Sequence, residues 1–156
     1  MAEEKKIKIT KDGPYLVSGN VPLNKEIMIL DKAKFPYKWE KKSSYPQQEN
    51  YALCRCGNSK NKPFCDSSHL QGFDGTETAS EKSYDEQAET TQGPALNLKD
   101  VSNLCSSAKF CDRDKGTWEL TRNSNNKKSK EMAIEQACNC PSGRLVAWEN
   151  GKPIEP

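Results

Sequence analysis

The sequence predicts a small, loop-rich α+β fold in which short antiparallel strands cap metal sites and bound metal staples the chain. Three observations carry that expectation. Leu, Ile, Val and Phe supply only 24 of the 156 residues, too few for an ordinary core at this length. Seven cysteines stand beside that shortage, and small domains replace missing core area with disulfides or metal. The apolar residues also come in short runs broken by Gly, Pro, Asn and Ser, the pattern of short strands joined by turns.

Taken in order, Ile7 and Ile9 alternate with Lys6, Lys8 and Thr10, which predicts a one-sided strand. The Lys11-Asp12-Gly13-Pro14 stretch is turn chemistry, and 15–17 a second strand closed by Ser18-Gly19-Asn20. Residues 21–23 and 27–30 predict a further short strand, and Phe35, Tyr37 and Trp39 supply aromatics for one sheet face. A loop over 43–50 leads to a strand at 51–53 that runs straight into Cys54. Residues 76–94 are almost wholly polar and predict a linker ended by Gly93-Pro94. Beyond it, strands are expected around Ala95, Leu96 and Leu98, at 116–120 and at 145–148. A helix capped by Ser129 is expected over 131–138. Asn150-Gly151 is a hairpin signal; its return strand at 152–154 looks cut short, which suggests a truncated chain.

Several classes are excluded. The longest aliphatic run, 27–30, is far shorter than the ~20 residues of a membrane helix. The start, Met1-Ala2-Glu3-Glu4-Lys5-Lys6, resembles neither a secretory leader nor a transit peptide. A reducing cytoplasm is therefore expected, where clustered cysteines are metal ligands more often than disulfides. With 24 basic and 22 acidic residues, there is no general drive toward nucleic acid or anionic membrane. No nucleophile–base pair or phosphate-binding glycine loop is present, and the single histidine is committed elsewhere, so an enzyme is not expected.

The first candidate site is Cys54-Arg55-Cys56-Gly57-Asn58-Ser59-Lys60-Asn61-Lys62-Pro63-Phe64-Cys65-Asp66-Ser67-Ser68-His69. Cys-x-Cys puts two thiolates on one short loop, close enough to share a metal ion. Cys65 and His69, four apart, meet on one face of a helical turn. Two such pairs suit a binuclear centre with one pair per metal. A zinc site with the same four donors is the competitor, although zinc modules usually space their cysteines more widely. Lys60 and Lys62 flank the loop, either as solvated surface lysines or as a positive field facing an anionic centre.

This run resembles the CDGSH family of iron–sulfur proteins: Cys54, Cys56, Ser59, Pro63, Cys65, Asp66, Ser68 and His69 fall on its motif. The resemblance implies a [2Fe–2S] cluster, with Cys54 and Cys56 on one iron and Cys65 and His69 on the other. The family includes membrane-anchored and soluble microbial forms; with neither a membrane helix nor a transit peptide in the sequence, the soluble form is expected, with the motif domain at 51–75 after the β segment read over 1–50. Longer relatives carry a further copy of the motif, which would fit a truncated end at 150–156. Ser67 stands where the family usually has Gly. Read as an ordinary first-turn residue, Ser67 is expected to have negative φ.

The second candidate site holds Cys105, Cys111, Cys138 and Cys140. Cys105 and Cys111 have the spacing of the outer cysteines of a bacterial ferredoxin run, with Ala108 at the middle position, and Cys140-Pro141 matches its closing Cys-Pro. Residues 95–149 thus resemble a divergent single-cluster ferredoxin domain. Three ligands suit a [3Fe–4S] cluster; Cys138 as a fourth would permit [4Fe–4S]. The alternatives are a four-thiolate zinc site, or cysteines kept as small apolar residues. The basic run Arg122, Lys127, Lys128 and Lys130 lacks interleaved aromatics and reads as a solvated loop.

Taken together, the expected function is electron transfer or cluster transfer, with a redox or cluster-acceptor protein as partner. The alternative is a zinc-stapled interaction module. Neither nucleic acid nor membrane is expected as a partner.

Overall fold

Strand β1 (Lys6–Ile9), β2 (Tyr15–Ser18) and β5 (Asn50–Leu53) form an antiparallel sheet in the order β1-β2-β5 in a computed structural model describing residues 4–156. The start Met1-Ala2-Glu3, read above as unlike a leader, lies outside the described residues. Ile9 pairs with Tyr15 across the predicted turn, and Tyr15 with Leu53 on the other side. Of this sheet only Val17 is a buried apolar side chain, while Ile7, Ile9 and Leu16 stay exposed. The sheet belongs to a first unit made of residues 1–25 and 41–80.

Strands β3 (Asn24–Leu30) and β4 (Pro36–Ser44) make a two-stranded sheet, and β4 runs into the stretch expected to be loop from residue 43. Residues 26–40, the turn end of this sheet, belong to the second unit together with 81–156. Asp31 ties that turn, accepting from the Ala33 and Phe35 amides at 2.8 and 2.9 Å. Within the second unit Trp39 stacks on Phe110 at 5.1 Å and donates its indole N–H to the Asn139 carbonyl at 3.0 Å.

The second unit is a four-stranded antiparallel sheet with two helices packed on it. Its strands are β6 (Glu89–Gln92), β7 (Asn97–Asp100), β8 (Leu145–Glu149) and β9 (Lys152–Ile154), in sequential order. Leu98, Leu145 and Ala147 from the strands, and Leu96 just before β7, close a core with Leu120, Ala133 and Ala137. Asn150 and Gly151 both have positive φ, as a two-residue hairpin turn requires.

Three expectations are corrected here. The expected linker at 76–94 contains helix α1 (Tyr84–Gln87), closed by a capping box between Ser83 and Glu86, and edge strand β6. Threonine-rich polar residues suit an edge strand, which needs no apolar face. The strand expected at 116–120 is instead helix α2 (Thr117–Arg122). Thr117, Leu120 and Thr121 are buried at helical spacing, and tertiary packing overrides the β propensity of Thr and Trp. Helix α3 (Lys127–Cys138) begins earlier than expected, because the Asn126 side chain accepts from the Ser129 amide and caps it. No helix among the described residues is long and apolar enough to cross a membrane.

Candidate metal centres

The first site grows out of the end of β5. The Cys54 amide donates to the Pro63 carbonyl at 2.8 Å, and the Cys65 amide donates to the Ala52 carbonyl at 2.9 Å. Leu53 and Phe64 form a β-bridge between these bonds. Backbone pairing therefore brings the Cys54 limb beside the Cys65 limb. Phe64 anchors the return limb edge-on against Tyr45 and Tyr51. The buried Ser59 hydroxyl donates to the Phe64 carbonyl at 2.6 Å and accepts from the Asn61 amide at 3.0 Å.

The four predicted donors meet as two pairs. Cys54 Sγ lies 3.8 Å from Cys56 Sγ, and Cys65 Sγ lies 3.4 Å from His69 Nδ1. A tetrahedral metal ~2.3 Å from two thiolates holds them ~3.8 Å apart, and a thiolate–imidazole pair slightly closer. No three His, Cys, Asp or Glu side chains among the described residues converge as a single metal ion would require. Backbone amides are aimed at two of the sulfurs: Asn58 N–H points to Cys56 Sγ and Ser67 N–H to Cys65 Sγ, both at 3.4 Å. The Cys54 thiol is held below its ordinary range chiefly by the Ser59 amide, with Lys62 adding its charge.

Ser67 departs from expectation. Its φ is +69°, in the left-handed region, so it is not an ordinary first-turn residue. The chain must reverse there between Cys65 and the 3₁₀ turn Ser68–Gln71 that carries His69. A side chain in that region costs ~1–2 kcal/mol that glycine would avoid.

Two residues with no role assigned from sequence hold this reversal and the loop above it. Asp66 accepts from the Lys60 amide at 2.8 Å, from the Ser68 amide at 3.0 Å and from the Ser68 hydroxyl at 2.6 Å, tying both limbs together. The Ser68 hydroxyl and these amides pull its carboxyl down to about 2. Arg55, between the first two cysteines, turns away from them. It donates to the Thr10 and Gly75 carbonyls at 3.1 and 2.6 Å and lies over the Tyr15 and Phe73 rings. The signal for Asp66 was its place in the motif; nothing local in the sequence pointed to Arg55.

In the second unit Cys105, Cys111 and Cys140 line one cavity, together with Ala108 and Arg144. Cys138 points elsewhere, its thiol 3.8 Å from the Ile154 carbonyl, so the sequence-predicted foursome is divided three and one. The Cys105 thiol is lowered by the Ser107 amide and Arg144, whereas burial pushes Cys111 up to about 11. Arg144 is fixed by a two-pronged ion pair with Asp100, at 2.6 and 2.9 Å, and Trp118 donates to the same carboxylate at 3.1 Å. Tyr84 secures this corner by donating to the Arg144 carbonyl at 2.8 Å. In the basic run, Arg122 pairs with Glu119, Lys127 with Glu131 and Lys130 with Glu149.

Comparison with known families assigns both regions. Residues 12–70 match the family described as an iron-binding zinc finger of CDGSH type. Residues 91–150 match the family described as a divergent 4Fe–4S mono-cluster. No curated protein and no solved structure matches the chain. The two matches meet the two cysteine sites in turn, a CDGSH-type region followed by a divergent mono-cluster region, and together they support iron–sulfur binding by this chain.

Proposed function

We propose that the first unit holds a [2Fe–2S] cluster, with Cys54 and Cys56 on one iron and Cys65 and His69 on the other. The chain then serves as an electron or cluster carrier in a reducing cytoplasm, not as a catalyst. The observation that carries this reading is the pairing of the donors, at 3.8 and 3.4 Å, with no third His, Cys, Asp or Glu among the described residues converging on either pair. Two tetrahedral irons bridged by sulfide need only two protein donors each, whereas a mononuclear zinc needs all four on one point. The donor set fits the group in chemistry as well, since thiolates and imidazole suit iron–sulfur clusters.

The bound cluster would supply one-electron chemistry. This chain's residues hold it, supply N–H groups to the Cys56 and Cys65 sulfurs, and place exposed Lys60 and Lys62 beside it. Those lysines suit an acidic redox or acceptor protein as partner. A second cluster, of [3Fe–4S] or [4Fe–4S] type, is proposed for the cavity of Cys105, Cys111 and Cys140.

Iron, zinc and acid-labile sulfide analysis of anaerobically purified protein tests the reading directly. Visible absorption with equal iron and sulfide at the first site is expected once the second site is disabled by Cys111→Ser. A colourless protein containing only zinc overturns it. His69 offers an independent check, because protons compete with iron for the imidazole nitrogen. Cluster absorbance should decay faster from about pH 8 to about pH 5, and His69→Cys should slow that decay and lower the reduction potential. Equal decay of the two proteins removes His69 from the ligand set.

A further inference from the structure

We propose that three thiolates alone, those of Cys105, Cys111 and Cys140, hold the second cluster, and that the corner beside Ala108 has no protein thiolate and exchanges its iron. The inference rests on the reading that this cavity binds a cluster, and it names the ligands and the reactive corner.

The geometry points to it in three ways. First, Cys105, Cys111 and Cys140 line the same cavity, whereas Cys138, only two residues before Cys140, does not. Cys138 is the last residue of α3, and its thiol lies against the Ile154 carbonyl of β9. Asn139 caps the helix, accepted by the Glu135 carbonyl through its side-chain amide at 3.0 Å, so the chain turns between the two cysteines. Second, Ala108 lines the cavity from the middle of the Cys105–Cys111 loop. It sits between Ser107 and Lys109, both left-handed at φ +58° and +65°, so the loop curls around the cavity on either side of a methyl group. A methyl cannot ligate iron. Third, the other polar side chains on this wall are poor substitutes. Lys109 and Arg144 are cations, and Ser106 and Ser107 are neutral hydroxyls. The Asp112 carboxylate stands 3.6 Å from Cys111 Sγ but is not among the groups lining the cavity.

An iron at that corner would take its outer ligand from solution. The chemical class that fits is a small monodentate donor, such as a low-molecular-weight thiolate. The same corner is where iron should leave on oxidation. A [4Fe–4S]²⁺ cluster that gives up one Fe²⁺ and passes one electron to ferricyanide becomes [3Fe–4S]⁺.

The test uses the full chain, purified anaerobically and treated with ferricyanide, with electron paramagnetic resonance as readout. An oxidised [2Fe–2S] centre is silent in that experiment and does not interfere. The wild type should develop a [3Fe–4S] signal that disappears on adding ferrous iron with a reductant. Cys138→Ser should give the same signal, and Ala108→Cys, which supplies a fourth thiolate, should weaken it about fivefold or more. Cys138→Ala keeps the apolar contact if the serine variant folds poorly. Loss of second-site iron from both Cys138 variants, with tryptophan emission unchanged, makes Cys138 a ligand and overturns the assignment. An unchanged signal in Ala108→Cys overturns the open corner. If Cys65→Ser removes all iron and sulfide from the chain, the cluster reading itself fails and this assignment falls with it.

Discussion

Among the described residues, the unit built from 1–25 and 41–80 buries Val17 alone of its large apolar side chains, whereas the unit built from 26–40 and 81–156 buries Leu96, Leu98, Val101, Phe110, Leu120 and Leu145. Each fully buried side chain of this kind contributes ~1.5–3 kcal/mol, so the second unit has a core of ordinary type and the first does not. What the first unit has instead is a set of directional polar ties around its cysteines. Asp66 spans the two limbs, Ser59 pins the Phe64 carbonyl, and Arg55 reaches the carbonyls of Thr10 and Gly75. Such ties fix geometry but add little net stability, since each replaces bonds to water. The difference teaches that metal ligation should be part of folding in the first unit, and an addition to a folded body in the second.

Removing the metal tests this most severely. Stripping both sites under reducing conditions should raise amide exchange in β1, β2 and β5 by ~100-fold or more, while β7 and β8 stay protected. Trp39, Trp118 and Trp148 all lie in the second unit, so the wavelength of tryptophan emission should barely shift. Equal loss of protection in both units would break the comparison.

Leu98→Ala probes the opposite side. Leu98 is 0% exposed, and its truncation should destabilise the second unit by ~2–5 kcal/mol. Iron content at the first site should be unaffected. Denaturant melts followed by tryptophan emission, with iron measured at each step, separate the two effects.

Asp66→Asn should quicken loss of the first-site cluster by about tenfold without moving the tryptophan-detected melt. The pH dependence distinguishes this clamp from His69. Asp66 has a depressed pKa, so its contribution is fully present above the ordinary carboxylate value and is lost only as pH falls toward about 2. Cluster loss between about pH 8 and about pH 5 therefore does not come from protonation of this carboxylate. Wild type and Asp66→Asn should show parallel pH profiles displaced by a constant factor.

The smallest effect is expected at Ser67. Ser67→Gly relieves a left-handed serine but adds freedom to the unfolded chain. A net gain on the order of 1 kcal/mol or less is expected, seen as slower cluster loss. A faster loss would mean that the Ser67 side chain has a role of its own.

Sequence alone brought out the candidate donors of the first site, because close spacing is a local property. Cys54, Cys56, Cys65 and His69 lie within sixteen residues, and few backbone paths keep such donors apart. Turns encoded by two residues were equally legible, as at Asn150-Gly151. Tertiary structure decided everything that depended on partners distant in the chain. It made 117–122 a helix, because Thr117, Leu120 and Thr121 pack inward with that spacing. It drew 89–92 into the sheet as an edge, and it gave the 26–40 turn to the second unit through Trp39 and Phe110. It also separated Cys138 from Cys140, two residues apart in sequence, by ending a helix between them. Ser67 shows the same limit at short range: whether a residue must be left-handed depends on where the chain has to go next, and that was set by His69 returning to Cys65 at 3.4 Å.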